Sequence, residues 1–349
     1  MSVRNLIRNN ILSLSPYKCA RDDFEGKAEV YLDANENYNE FIKVKDINRY
    51  PDPHSKEVVE AVSRTFGYPA EQIIIGNGSD EIIDLLFRIF CNPGKDSALI
   101  FPPTYGAYKV FASINDVQIY ESNLEEESFA LNVEKAIADI DKYKPKLVFI
   151  CSPNNPTGNA FSLEAIEKIA KHNQGLTVVD EAYGDFSTKA SAYTLMQENE
   201  RIVLLRTLSK AWGLAGARIG ICVSSKEICS FLYNVKYPYN VPLLSQKAAV
   251  KALSNVEKVK ENICVIVRDR EKLKNQLEEM GIKVFPSDAN FLLIRVKEAP
   301  LIYKKLLDCG VVVRLRSSEF GCHDCLRVTI GSSEENDKFL DALKRIINE

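Results

Sequence analysis

Six short apolar runs between residues 97 and 223 limit the possible folds of this chain more than any other feature. They read SALIF, VQIY, KLVFI, LTVVD, RIVLLRT and RIGICV, and a stretch of helical periodicity separates most of them. Ahead of them, QIIIGNGSD forms a strand and turn. DEIIDLLFRIF follows, with Ile82, Ile83, Leu86, Phe87 and Phe90 at helical spacing. A strand that is apolar at nearly every position, not every second one, has both faces buried. Alternation of such strands with helices implies an α/β fold with a large, mostly parallel sheet sandwiched by helices. Reactive loops in such a sheet lie beyond the carboxyl ends of the strands.

The texture changes after Pro242. One or two long helices lead into NFLLIRV, LIYKKLLDCG, VVVRL, CLRVTIG and a final helix, which together make a smaller α+β unit. The expected division is an N-terminal arm, partly joined to the small unit, over 1–50, a large α/β domain over 51–250 and a small α+β domain over 251–349. A formal net charge of −3 gives no global attraction to nucleic acid or to an anionic membrane, so any anion site must be local. There is neither a signal-peptide core nor an apolar stretch of membrane-spanning length. Nine cysteines without framework spacing suit free thiols in a cytoplasmic protein. The CHDC pair at Cys322 and Cys325 lacks further ligands for a structural metal site, and no metal is expected.

Four strand ends carry polar clusters. GNGSDE, Gly76 to Glu81, opens a helix whose free amides suit an anion, with Ser79 or Asp80 as cap; a plain helix cap is the alternative. In CSPNNPTG, Pro153 and Pro156 hold Asn154 and Asn155 in fixed poses, although an ordinary turn accounts for part of the pattern. VVDEAYGDF places Asp180 at the end of an apolar strand with Tyr183 three residues on. A half-buried carboxylate there holds its proton more tightly unless a cation faces it. TLSKAWGLAGARIG sets Lys210 at a strand mouth, beside Ser209 and ahead of Arg218. A desolvated lysine is the residue for Schiff-base chemistry. A nucleophilic amine, a carboxylate for a ring nitrogen, donors for a ring oxygen and a phosphate cradle are the needs of pyridoxal 5′-phosphate.

These motifs, with PPTYGAY, occur in the order found in the fold-type I pyridoxal-phosphate aminotransferases, and the chain resembles that family over nearly its whole length. The resemblance implies that Lys210 links to the cofactor aldehyde and serves as general base, and that Asp180 pairs with the ring nitrogen. It implies that Asn155 and Tyr183 bond the ring oxygen, that Ser79, Asp80, Ser209 and Arg218 contact the phosphate, and that Tyr105 stacks on the ring. SLSPYKCARDD, YLDANENYNEF and INRYPDPHS resemble the histidinol-phosphate aminotransferase subgroup most closely. That likeness implies a homodimer with shared sites, in which Tyr50 reaches the neighbouring subunit's cofactor phosphate and Tyr17 closes over substrate, with Asn35 nearby. It further implies that Arg314 and Arg327 grip a substrate phosphate, the amino group passing between L-histidinol phosphate and 2-oxoglutarate. The motif set also fits a threonine-phosphate decarboxylase or an aromatic amino-acid aminotransferase. A DNA-binding regulator is disfavoured, because no basic helix-turn-helix precedes the sheet region.

Overall fold

A computed structural model describes residues 2–15, 42 and 44–348. Tyr17 and Asn35 lie outside the described residues. The large sheet has seven strands: β1 (Ile73–Asn77), β2 (Ser97–Ile100), β3 (Gln118–Glu121), β4 (Leu147–Cys151), β5 (Leu176–Asp180), β6 (Ile202–Thr207) and β7 (Ile219–Val223). Their order is β1-β7-β6-β5-β4-β2-β3, and only β7 runs antiparallel to its neighbours.

The run of apolar residues is explained by two cores on opposite faces. Along β4, Val148 and Ile150 enter one core while Leu147 and Phe149 enter the other, all fully buried. Helices α1 (Asn9–Leu12), α2 (Lys56–Phe66), α3 (Gly78–Phe90), α4 (Ala107–Ile114), α5 (Val133–Tyr143), α6 (Leu163–His172), α7 (Lys226–Val235) and α8 (Leu243–Leu253) cover them. Those of α2, α5, α6 and α8 close the first core; those of α1, α3, α4 and α7 close the second. Each fully buried aliphatic side chain contributes about 1.5–3 kcal/mol, so a strand buried on both faces is doubly fixed in register.

The second sheet is antiparallel, in the order β10-β11-β9-β8, with β8 (Lys283–Val284), β9 (Phe291–Arg295), β10 (Arg314–Leu315) and β11 (Cys325–Thr329). Helix α9 (Val256–Glu279), α10 (Ala299–Asp308) and α11 (Ser333–Asn348) pack on one of its faces. The 24 residues of α9 span about 36 Å at 1.5 Å per residue. Val256, Val259 and Ile263 lie against the large sheet's core, whereas Leu273 and Leu277 belong to the small sheet's core.

Two local expectations need correction, and one short strand was not foreseen. The segment VVVRL forms only two residues of strand, because Val312 is largely exposed and pairs with nothing. The short β8 had no visible signal. Neither Ser79 nor Asp80 caps α3: β1 runs directly into the helix, Asn77 is the cap residue, and its amide donates to Glu81 Oε2 at 2.6 Å.

That abrupt strand-to-helix passage needs two glycines. Gly78 has φ +77°, and a Cβ there would lie 2.3 Å from the Arg218 guanidinium. Opposite it, a Cβ on Gly220 would meet the backbone carbon of Gly78 at 2.2 Å. Gly220→Ala should therefore cost about 3 kcal/mol, as overpacking against backbone does. The thermal midpoint should fall by several degrees, while Gly216→Ala, with nothing within 4 Å, leaves it in place. Equal midpoints for the two variants would refute this close-approach argument.

Candidate active site

The carboxyl ends of β4, β5 and β6, the start of α3 and the loop after β2 surround one cleft with about 510 Å³ of free space, open to solvent. Ser79, Asp80, Tyr105, Asn155, Asp180, Tyr183, Ser209, Lys210 and Arg218 all line it. Residues 79 to 218 are thus brought together at the strand ends, as such a fold requires.

Asp180 ends β5 and is 3% exposed. Tyr108 Oη donates to its Oδ2 at 2.7 Å, and the Ala182 amide donates to Oδ1 at 3.0 Å. Burial raises the carboxyl pKa above its ordinary value; the two donors act against that rise. Tyr108 was missed in the sequence, where Tyr105 drew the attention. It is wholly buried, meets Tyr105 edge-on at 5.4 Å and stacks on Phe149 at 4.7 Å. The signal was the second tyrosine of PPTYGAY, three residues on and so on the same side of the incipient helix.

At the other end of the cleft the first turn of α3 presents amides that have no partner within the helix. Arg218, with φ +54°, closes on them and donates from Nη2 to Asp80 Oδ2 at 3.0 Å. Tyr105 Oη donates to the other Asp80 oxygen at 3.0 Å. The Asp80 carboxylate is therefore a partner of Arg218 and Tyr105. Like charge keeps it from contacting an anion, which leaves its amide for that purpose. Thr207, unanticipated, accepts the Ser209 amide at 3.1 Å and sets the turn that carries Ser209 and Lys210.

Lys210 is partly desolvated, as expected, although its side chain reaches into an open cleft. It lies three residues beyond β6 and is exposed there. Its pKa is lowered, first by that desolvation and then by the charges of Arg327 and Arg218. The amine sits 5.5 Å from the Tyr183 ring centre.

The two asparagines of the Pro-flanked loop divide their work. Asn154 is structural: its amide donates to Pro103 O at 2.8 Å and Thr157 Oγ1 at 2.7 Å. Asn155 Oδ1 accepts from Arg327 Nη1 at 2.5 Å, which ties the β4 loop to β11 and leaves the amide group for other acceptors. The Arg327 guanidinium lies over Phe291 at 5.2 Å, and that ring meets Tyr183 edge-on at 5.1 Å. Arg314 is the direct cross-strand partner of Arg327. Tyr50 is exposed, stacks on Tyr239 at 4.4 Å and does not line this chain's own cleft.

An amine, a buried carboxylate facing it across an aromatic-walled cleft and a helix N-terminus with an arginine fit pyridoxal phosphate at its aldehyde, ring nitrogen and phosphate respectively. The close approach at Gly78 supports that fit, since any side chain there would displace the arginine.

Comparison with known proteins gives the same picture. The family model described as aminotransferase class I and II matches residues 15–343. The chain is 44% identical over 352 residues to the histidinol-phosphate aminotransferase of Christiangramia forsetii, covering 100% of this chain and 99% of that protein. It is also 44% identical to the one from Cytophaga hutchinsonii over 346 residues, or 98% and 99% of the two chains. A solved histidinol-phosphate aminotransferase from Sinorhizobium meliloti, in complex with pyridoxal-5′-phosphate, superposes with a TM-score of 0.81 at 22% identity, over 87% of this chain and 84% of that one.

Tyr108→Phe removes one donor from the Asp180 carboxylate, so the acid should hold its proton to higher pH still. A hydrogen bond to a charged group is worth about 1.5–3 kcal/mol, which is about one pKa unit or more. Infrared titration of the carboxylic-acid band should show that upward shift. A titration unchanged between the two proteins would mean that the phenol does not stabilise the anion.

Proposed function

The chain belongs to the class I and II aminotransferases, and from that membership we infer that it moves an amino group between L-histidinol phosphate and 2-oxoglutarate, giving imidazole acetol phosphate and L-glutamate in histidine biosynthesis. Its cofactor is pyridoxal 5′-phosphate. When bound, that group supplies an aldehyde that takes up the amino group and a ring that draws electrons from the reacting carbon.

The chain's own residues carry the rest. Lys210 Nζ, its pKa lowered, gives up its proton more readily than an ordinary lysine. It holds the cofactor and then carries the proton from the substrate carbon that bears nitrogen. Asp180, whose carboxylate form Tyr108 and the Ala182 amide favour, would hold a proton on the ring nitrogen. Tyr105 covers the ring face; Asn155 and Tyr183 orient its oxygen. Ser79, the Asp80 amide, Ser209 and Arg218 hold its phosphate.

The observation that carries the substrate reading is the cross-strand pair Arg314 and Arg327 beside Asn155. Two guanidinium groups directly opposite each other repel. A phosphate dianion relieves that repulsion and accepts bidentate hydrogen bonds. The 44% identity over the full length supports the same substrate.

The same reading makes the protein a cytoplasmic homodimer, with Tyr50 serving the neighbouring subunit's cofactor and Tyr17 and Asn35 placed at the substrate. Among the described residues no helix is long and apolar enough to cross a membrane. It also divides the chain into the arm over 1–50, the cofactor domain over 51–250 and the small domain over 251–349, with α9 shared by the two cores.

Two measurements test this. Borohydride should fix the cofactor to wild-type protein and to none of the Lys210→Ala variant, whose turnover should drop on the order of a thousandfold or more, within the range of general acid–base contributions. Histidinol phosphate should bleach the bound cofactor's visible band faster than phenylalanine, and O-phosphothreonine should release no carbon dioxide. Faster reaction with phenylalanine, or carbon dioxide release, would overturn the substrate assignment and leave the cofactor chemistry intact.

A further inference from the structure

Arg314 and Arg327 are not alone on their face of the small sheet. The ladder between β10 and β11 continues one step past Leu315, because the Arg316 amide donates to Cys325 O at 2.9 Å. Side chains alternate along a strand, so Arg316 shares the face of Arg314, and Arg327 lies opposite Arg314 on that same face. Leu315 and Leu326 point the other way, into the core under α10 and α11. Three guanidinium groups thus converge where the strands meet the cleft.

Their charges are not balanced. Arg327 loses its proton more readily than an ordinary arginine, first because it is desolvated, then because Arg316 faces it; Arg314 adds to this and Glu319 opposes it. The Arg316 charge also reaches Tyr183 in the cleft. Its own acidic partner is Glu319, which accepts from Nη1 at 2.7 Å. Among the described residues, Arg314 has no carboxylate partner. The nearby Arg295 is already engaged by Glu127 at 2.6 Å and by Gly321 O at 2.8 Å, and takes no part.

The Nε atoms of both Arg316 and Arg327 are buried without a hydrogen-bond partner. Buried donors rarely stay unpaired, and an Nε–Nη edge is the geometry that grips an oxyanion with two parallel bonds. Three guanidinium charges against the single Glu319 carboxylate leave an excess of two positive charges. That matches a phosphate dianion and exceeds what one carboxylate can neutralise.

We propose that Arg316 is a specificity-determining residue of the substrate site, a third guanidinium that with Arg314 and Arg327 selects a phosphate monoester, while Glu319 holds it in place between turnovers. The inference rests on the substrate reading above and deepens it. Glu319 engages Arg316 Nη1 and offsets one of the three positive charges, so that it competes with an incoming anion for that guanidinium.

The test uses the cofactor-loaded enzyme and follows its visible band on mixing with histidinol phosphate, with unphosphorylated histidinol, and with inorganic phosphate as a competitor. Arg316→Gln should raise the Kd for histidinol phosphate and for phosphate by about tenfold to a hundredfold, the range for a lost charge-assisted pair. The Kd for histidinol should change by about twofold or less, and most of the loss should appear in Kd and not in the limiting rate. Arg316→Lys should fall between, because it keeps the charge and loses the fork. Glu319→Gln should tighten inorganic phosphate. Equal losses for histidinol and its phosphate ester, or a Glu319→Gln variant that binds phosphate more weakly, would overturn the proposal. If Arg316→Gln does not fold, the Arg316→Lys and Glu319→Gln arms decide it. Were wild-type enzyme to prefer histidinol over its phosphate ester, the substrate reading would fail first, while phosphate competition would still report on the three arginines.

Discussion

The site is organised around one buried acid, Asp180, that makes no ion pair among the described residues. Asp180 is enclosed at the end of β5 and kept ionisable by a phenol and an amide, while the nearest lysine is exposed across the cleft. An isolated carboxylate in such a place costs several kcal/mol unless something positive meets it. The protein supplies two neutral donors, enough to aim the group and too little to satisfy it. On the proposed reading, a protonated ring nitrogen would supply the rest. The binding of the cofactor and the stability of this part of the fold are therefore coupled through a single acid.

A second charge cluster keeps that acid where it is. Arg206 on β6 is almost buried and donates to Asp185 Oδ1 at 2.5 Å and Tyr68 Oη at 3.1 Å, with Glu181 at 3.8 Å. Glu181 accepts from the Ala192 amide at 2.7 Å and Ser191 Oγ at 2.8 Å. Glu181 follows Asp180 directly and Asp185 lies two residues past Tyr183, so their segment is pinned from behind while Asp180 and Tyr183 line the cleft. Buried ion pairs of this kind contribute little net stability, but the loss of one partner leaves an expensive unpaired charge. Their value here is positional.

The architecture was legible because apolar strands buried on both faces leave a continuous signature, and the seven strands of the large sheet lie where those runs predict. Asp180 was legible for the same reason: a lone acid at the end of such a run is conspicuous. What failed to show had weaker local signals. The two-residue strands β8 and β10 are fixed by pairing with β9 and β11, and two residues carry no periodicity. Beyond its spacing from Tyr105, nothing in the sequence sets Tyr108 apart from a core aromatic, which by burial it is; its hydroxyl group finds Asp180 only through the packing of α4 on the sheet. The desolvation of Lys210 followed from the apolar strand before it, but its openness to the cleft did not, because the lysine stands past the strand in a turn set by Thr207. Arg316 escaped notice because its relation to Arg327 depends on a ladder step 11 residues away in sequence. Pairing across strands is invisible to a reading along one.

The long helix α9 has a mechanical meaning. Seated at one end against the large sheet's core and at the other in the small sheet's core, it links the wall that carries Asp180 to the sheet that carries the arginines. Any change in the spacing of the two sheets is therefore carried along one continuous run of 24 helical residues, none of which lines the cleft.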